Sequence, residues 1–273
     1  MADATSTPDR VSPRIDTTVP HSARMWDYWL GGKNYYEVDQ AAGDQVRSIH
    51  PGILDYARAD RAFLGRAVGH LAGEVGIRQF LDIGTGLPTT DNTHEVAQRI
   101  APRSRIVYTD NDPIVLAHAR ALLTSTPEGA TDYLDADLHD PDTILEGAAR
   151  TLDFSQPIAV MLLGIVMFVE DTERAHAIVR RLMDAVPSGS HLVLSHTITA
   201  PGLSDVDAAV EFWNSVGTPK LHQRTPQEVE RFFDGLELLE PGVVSCSRWR
   251  PEPSPTGELP DEVAFYCGVA RKP

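Results

Sequence analysis

Cysteine is nearly missing from this chain: its 273 residues hold two, Cys246 and Cys267. That excludes a disulfide scaffold and the cysteine-rich zinc folds. Two buried, reduced thiols in a reducing cytoplasm are the plain expectation. The ten histidines occur without HxxxH spacing, so no metal site is expected. No apolar run approaches the ~18–20 residues that span a bilayer, so no membrane partner is expected. Residues 1–20, MADATSTPDRVSPRIDTTVP, lack the apolar stretch of a signal peptide. Rich in Pro, Ser, Thr and Asp, they are expected to form a flexible tail. Clusters of Lys and Arg are lacking too, and the net charge is −15 with a pI of about 5.0. Such a chain repels phosphate backbones, so nucleic acid is not an expected partner. The G-x-S-x-G elbow of a hydrolase is also absent.

What is present is an alternation of short apolar runs and amphipathic stretches from Arg78 onward. Strands are expected at 78–83 (RQFLDI), 105–109 (RIVYT), 132–137 (DYLDAD), 158–163 (IAVMLL) and 191–196 (HLVLSH). Helices are expected between them: 92–101, with Val96 and Ile100 on one face, then 113–123, 142–150 and 172–185. Pro113 suits a first helical position, where its missing N–H would be unpaired anyway. Strand–helix alternation with nearly continuous apolar strands predicts a parallel sheet covered on both faces. The end of the chain differs. After a helix over 225–233, runs at 236–244 and 263–270 have no helix between them, which predicts an antiparallel pair. Residues 21–75 are mostly helical, with breaks at Gly31-Gly32 and Pro51-Gly52, and are expected to cap the 76–273 core.

Three strand tips carry the chemistry. The first ends in Asp82-Ile83-Gly84-Thr85-Gly86-Leu87-Pro88, a strand followed by a Gly-x-Gly turn that lets a ligand approach bare backbone. Tight-turn glycines without a ligand are the bland alternative. The third glycine of a dinucleotide fingerprint would fall at Thr89, which argues against NAD. The second strand ends in Asp110-Asn111-Asp112-Pro113. Asp112, next to Pro113, is assigned the helix cap, and Asp110 the two hydroxyls of a ribose. Near the third tip, Asp137 is placed to accept from an adenine amine and the Leu138 N–H to donate to a ring nitrogen. Either acid alone is an ordinary loop residue; the combination is not. A cleft lined with carboxylates suits a cationic ligand, and S-adenosylmethionine (SAM) carries a sulfonium and an ammonium where a dinucleotide brings an anionic pyrophosphate.

The stretches FLDIGTGLPT, VYTDNDP and YLDADL resemble the nucleoside-binding motifs of class I SAM-dependent methyltransferases. ARMWDYWLGGKNYYEVD (23–39), RADRAFLGRAV (58–68), RQFLDIGTGLPT (78–89) and VYTDNDPIVLAHARALL (107–123) resemble, more narrowly, an actinobacterial S-adenosyl methyltransferase family once filed as a domain of unknown function. Pro88 stands where the broad class has its last glycine. The resemblance implies a Rossmann-like α/β fold with a seven-stranded sheet, mostly parallel, the last strand antiparallel. It implies SAM as cofactor and S-adenosylhomocysteine (SAH) as product but says nothing of the substrate; the acidic charge and the lack of a basic groove favour a small-molecule methyl acceptor. The implied cofactor positions are Asp82, Gly84, Thr85, Gly86, Asp110, Asn111, Asp137, Leu138 and Gly164. In the odd segment MWDYWLGGKN, a lid is expected, with Arg24 on the cofactor carboxylate and Tyr28 and Gly32 closing over it; a plain amphipathic helix with a glycine cap is the alternative. Arg58 is a second candidate for that carboxylate.

Other candidates are weaker. His196, at a strand tip, is either a general base or a structural histidine. His94 and Asn92 fit a helix start better than catalysis, and Phe212 and Trp213 either line a substrate pocket or fill the core. Two rival functions stay open: a SAM- or SAH-binding sensor without turnover, and an NAD-dependent oxidoreductase.

Overall fold

A computed structural model describes residues 15–122, 124–252 and 257–273. Its core is one sheet of eight strands: β1 (Gln79–Ile83), β2 (Arg105–Asp110), β3 (Ala130–Asp135), β4 (Ala159–Leu163), β5 (His191–Thr197), β6 (Glu237–Leu238), β7 (Val244–Ser245) and β8 (Phe265–Arg271). The order is β3-β2-β1-β4-β5-β8-β6, with β7 also on β8. The first five strands are parallel, and β8 runs antiparallel to β5. The parallel strands are covered on both faces, as their unbroken apolar runs require.

The two-residue period of a strand divides the core. Phe80, Ile106, Tyr108, Met161 and Val193 face one apolar cluster, which holds the N-terminal helices α1 (Ser22–Trp29), α2 (Glu37–Ile49) and α3 (Ile53–His70) and the inner face of α4 (Thr93–Ile100). Leu81, Ile83, Val107, Val160, Leu162 and Leu194 face the other, with α6 (Pro141–Ala148), α7 (Thr172–Ala185) and α9 (Pro226–Glu230). Asp82 shares the parity of Phe80 and so lies on the side of α4. The remaining helices are α5 (Pro113–Leu122), which follows β2, and α8 (Ser204–Val216), which follows β5.

Three expectations change. The run 236–244 is two short strands, so the sheet has eight strands rather than seven. Pro241 has no N–H to give the ladder, and Gly242, at φ +91°, turns the chain so that its N–H meets Leu239 O at 2.9 Å. Both halves pair with β8, which confirms the antiparallel end. Ile100, expected on the buried face of α4, is 45% exposed in the final turn, whereas Val96 is buried. Of the expected tail, residues 1–14 lie outside the described residues. Residues 15–20 are irregular but held, since the carbonyls of Asp16 and Val19 accept from Arg24.

The cap is tied down by Arg24. Its Nε lies 2.8 Å from Asp39 Oδ2, and both side chains are buried. Asp39 also accepts from the N–H groups of His21 and Tyr36. Removing one partner of a buried pair leaves an uncompensated charge. Arg24→Ala is expected to lower stability by about 3 kcal/mol in urea unfolding; an unchanged midpoint would show the pair to be dispensable.

Candidate functional site

The carboxyl ends of β1 to β4 open into a single cavity of about 280 Å³, closed from above by α1 and α3. This is where open parallel sheets bind ligands. Asp82, Gly84, Thr85, Gly86, Asp110, Asn111, Asp137, Leu138 and Gly164 line it, so the expected strand-tip positions come together.

The glycine turn is built for close approach. Gly84 and Gly86 take φ of +74° and +67°, a region L side chains avoid. A Cβ on Gly84 would collide with the Ile165 side chain, whereas one on Gly86 would meet nothing within 4 Å. Gly84 is therefore required by packing, and Gly86 leaves bare backbone beside open space. Asp110 locks the turn: its Oδ2 accepts from Gly86 N at 2.9 Å, and its Oδ1 from Asp112 N at 2.9 Å. Each oxygen keeps a lone pair for a ligand. Burial raises the Asp110 pKa, and those two N–H groups oppose the shift. Asp112 caps α5 through the Ile114 N–H, as expected, and its other oxygen lies 2.9 Å from His21 Nδ1. Past β3, burial raises the Asp137 pKa, but the His139 backbone and ring and the Asn111 amide outweigh it, so the net shift is downward.

Asp82, at the end of the central strand, is 5% exposed. Thr93 Oγ1 donates to it at 2.6 Å. Burial pushes its carboxyl up to about 6, against the pull of Thr93 and the Arg61 charge. The His94 N–H in the first turn of α4 is taken by Tyr108 Oη at 2.8 Å. One of the first-turn amides that would meet a pyrophosphate in a dinucleotide site is thus already used.

The expected lid is corrected in its residues. Arg24 is spent on Asp39, Tyr28 Oη donates to Asp44, and neither these nor Gly32 border the cavity. A Cβ on Gly32 would collide with the Asp27 carboxylate, so that glycine serves the turn after α1. The cap closes the cavity with His21, Ser22, Ala23, Trp26, Asp27 and Leu30 instead. Arg58 is exposed beside Asp55; Arg61, three residues later, is the guanidinium that lines the cavity. Its Nη2 donates to Thr90 O and Asn92 Oδ1, and its Nε to Thr90 O.

His196 is no base for this cavity. It is fully buried outside the lining, Nδ1 2.6 Å from Thr197 O and Nε2 2.8 Å from Arg224 Nη1, and burial drops its pKa to about 3. Trp213 is core, with its N–H on Pro219 O, and borders an apolar cleft that shares Ser22, Trp26 and Phe168 with the cavity; Phe212 borders neither. Asp60 and Arg61 were missed. On α3, Ala57, Asp60, Arg61 and Leu64 recur at i, i+3, i+4 and i+7, one helical stripe. A charged pair inside that otherwise apolar stripe is the signal the sequence held.

Because the folded Asp82 pKa of about 6 lies above the ordinary ~4, the folded state binds that proton more tightly than the unfolded chain. Stability is therefore lost as pH rises from about 4 to 6 and stays lost above. Asp82→Asn is expected to stabilise the ligand-free protein by about 1–3 kcal/mol at pH 7.5 and by nothing at pH 4. Urea unfolding at the two pH values measures this; an equal effect at both would assign the change to packing.

Comparison with known proteins agrees with this geometry. The sequence profile of the S-adenosyl methyltransferase family matches residues 8–273. The crystal structure of a DUF574 family protein from Streptomyces avermitilis is 48% identical, covers 95% of this chain and 100% of its own, and superposes with a TM-score of 0.90. A candidate methyltransferase from Thermobifida fusca is 39% identical over 94% of this chain and 96% of its own, with a TM-score of 0.86. Among curated proteins, none matches. With the Rossmann-like sheet and its antiparallel end, this shows that the chain belongs to the S-adenosyl methyltransferase family, whose cofactor is SAM.

Proposed function

We propose that the protein transfers a methyl group from SAM to a small-molecule acceptor inside this cavity. The observation that carries the reading is the donor set: carboxylates at three successive strand tips around a bare Gly-x-Gly turn, with Arg61 the guanidinium of the lining. That set matches the ribose hydroxyls, adenine amine, ammonium and carboxylate of SAM, and its excess of carboxylates over the one guanidinium disfavours a pyrophosphate. Asp110 would hold the ribose, Asn111, Asp137 and Leu138 the adenine edge, Gly84, Thr85, Gly86 and Gly164 the backbone floor, and Asp82 the ammonium. Arg61 takes the carboxylate role first expected of Arg24.

When bound, SAM supplies a methyl group on an already activated sulfonium. The protein's own part is alignment and exclusion of water. The cap supports this by closing the cavity with Trp26 and Leu30, and Phe168 walls it beside β4. The adjoining apolar cleft, walled by Trp29, Tyr56 and Trp213, favours an acceptor with an apolar body. A cavity of about 280 Å³, on a chain of net charge −15, supports a small molecule over nucleic acid. The described residues hold no helix long and apolar enough to cross a membrane. Two buried free thiols support a reducing, cytoplasmic setting.

Calorimetric titration of SAM, SAH and NAD side by side tests the reading. SAM and SAH are expected to bind, and a preference for NAD overturns it. Asp110→Ala is expected to weaken SAM and SAH alike by roughly 10- to 150-fold, the worth of hydrogen bonds to a charged group.

A further inference from the structure

Asp27 and Asp60 are the cavity carboxylates that the reading above leaves without a role, and Asp27 is already taken by Asn34, which leaves Asp60. It lies on the inner face of α3 and is 9% exposed. Its neighbours are neutral: Cys246 Sγ lies 3.9 Å from Oδ1, and the Ser195 hydroxyl is close enough to lower its pKa. Among the described residues no cation forms an ion pair with it. The neighbouring Arg61 instead directs its hydrogen bonds to Thr90 and Asn92. A buried carboxylate with neutral partners, facing a cavity, is incomplete until a positive charge arrives.

Its place in the fold says which charge. Ser195 sits on β5, and its Oγ accepts from the Gly164 N–H at the end of β4 at 3.0 Å. Asp60 shares the cavity lining with Leu163 and Gly164 and so lies at the β4 and β5 side of it. Asp110 and Asp137 belong to the far side, at the ends of β2 and β3, with the glycine turn of β1 between. A nucleoside gripped at β2 and β3 sends its 5′ substituent across β1 toward β4. We propose that Asp60 recognises the sulfonium of SAM and makes the site distinguish SAM from SAH. The proposal rests on the SAM reading and deepens it. Once the methyl group has gone, sulfur is neutral, the contact loses its charge, and release of SAH is favoured.

Burial lifts the Asp60 pKa to about 6, opposed by Ser195, Arg61 and Cys246 and supported by the Asp82 charge. The titratable groups around it are Tyr56 and Arg61 on α3, Asp82 on β1 and Cys246 beyond β7, itself next to Cys267 on β8. Only the charged form of Asp60 answers a sulfonium, so the discrimination is present above about pH 6 and fades below it. Asp110 and Asp137 meet groups that SAM and SAH share, so their titration cancels in the ratio of the two affinities; Asp82 titrates with Asp60, and Asp60→Asn separates the two.

The test is calorimetric titration of the full chain and of Asp60→Asn with SAM and with SAH, at pH 7.0 and pH 5.0. The wild type is expected to prefer SAM by about tenfold at pH 7.0, the scale of one contact to a charged group, and to lose most of that at pH 5.0. Asp60→Asn is expected to bind SAH within about twofold of wild type at pH 7.0, with the preference for SAM gone at both pH values. A variant that keeps the preference, or a wild type with none at pH 7.0, overturns the proposal. Should Asp60→Asn not fold, the wild-type pH series decides alone, since a preference constant across pH overturns it. A wild type that binds neither compound removes the SAM reading itself, an outcome distinct from binding both equally.

Discussion

Negative charge held away from water is the constraint on which this structure turns. Asp60, Asp82 and Asp110 line one cavity out of water, Asp137 stands at its exposed rim, and Arg61 is its guanidinium. Removing carboxylates from water is unfavourable unless each finds donors. The protein supplies a partial set: Thr93 for Asp82, two backbone N–H groups for Asp110, His139 and Asn111 for Asp137, and the weak donor Cys246 for Asp60. Asp82 and Asp60 are still pushed up to about 6. A site strained in this way is unlike a settled structural network, since its deficit is of one sign and faces one space. It favours a ligand that brings positive charge and hydroxyl or amine donors together.

The cap shows how a similar charge inventory gives the opposite result when the partner is internal. Arg24 and Asp39 are more buried than the cavity acids, yet they meet each other and four further backbone groups, and they hold α1, α2 and residues 15–20 together. His21 joins this cap to Asp112 at the end of β2. The roof of the cavity is therefore part of the folded core, and its closure is set by packing of Trp26 against Tyr56 and Phe265. Relatives of 48% and 39% identity share the fold across nearly all of this chain, cap included.

The strand tips were legible because each is a local pattern. An apolar run, an acid and a turn residue are adjacent in sequence, and parallel pairing brings all such tips to one edge. The Asp112 cap beside Pro113 was legible for the same reason. Arg24 misled because a lone arginine among aromatics looks alike whether its partner is a ligand or Asp39, fifteen residues away in the chain and on another helix. His196 misled similarly: a histidine at a strand tip says nothing of Arg224, which comes from beyond α8 to bind it.

The sequence alone determined the alternating α/β order, the antiparallel end and the acids at β1, β2 and beyond β3, since periodicity and neighbouring residues decide those. Tertiary structure alone decided which cations the cavity keeps. Arg24 and Arg61 differ in function only through what packs beside them, and contacts between distant helices and strand ends are written in no local pattern. The break at Pro241, the exposure of Ile100 and the unpaired state of Asp60 were decided there too, because each depends on the part of the sheet or helix that neighbours it in space.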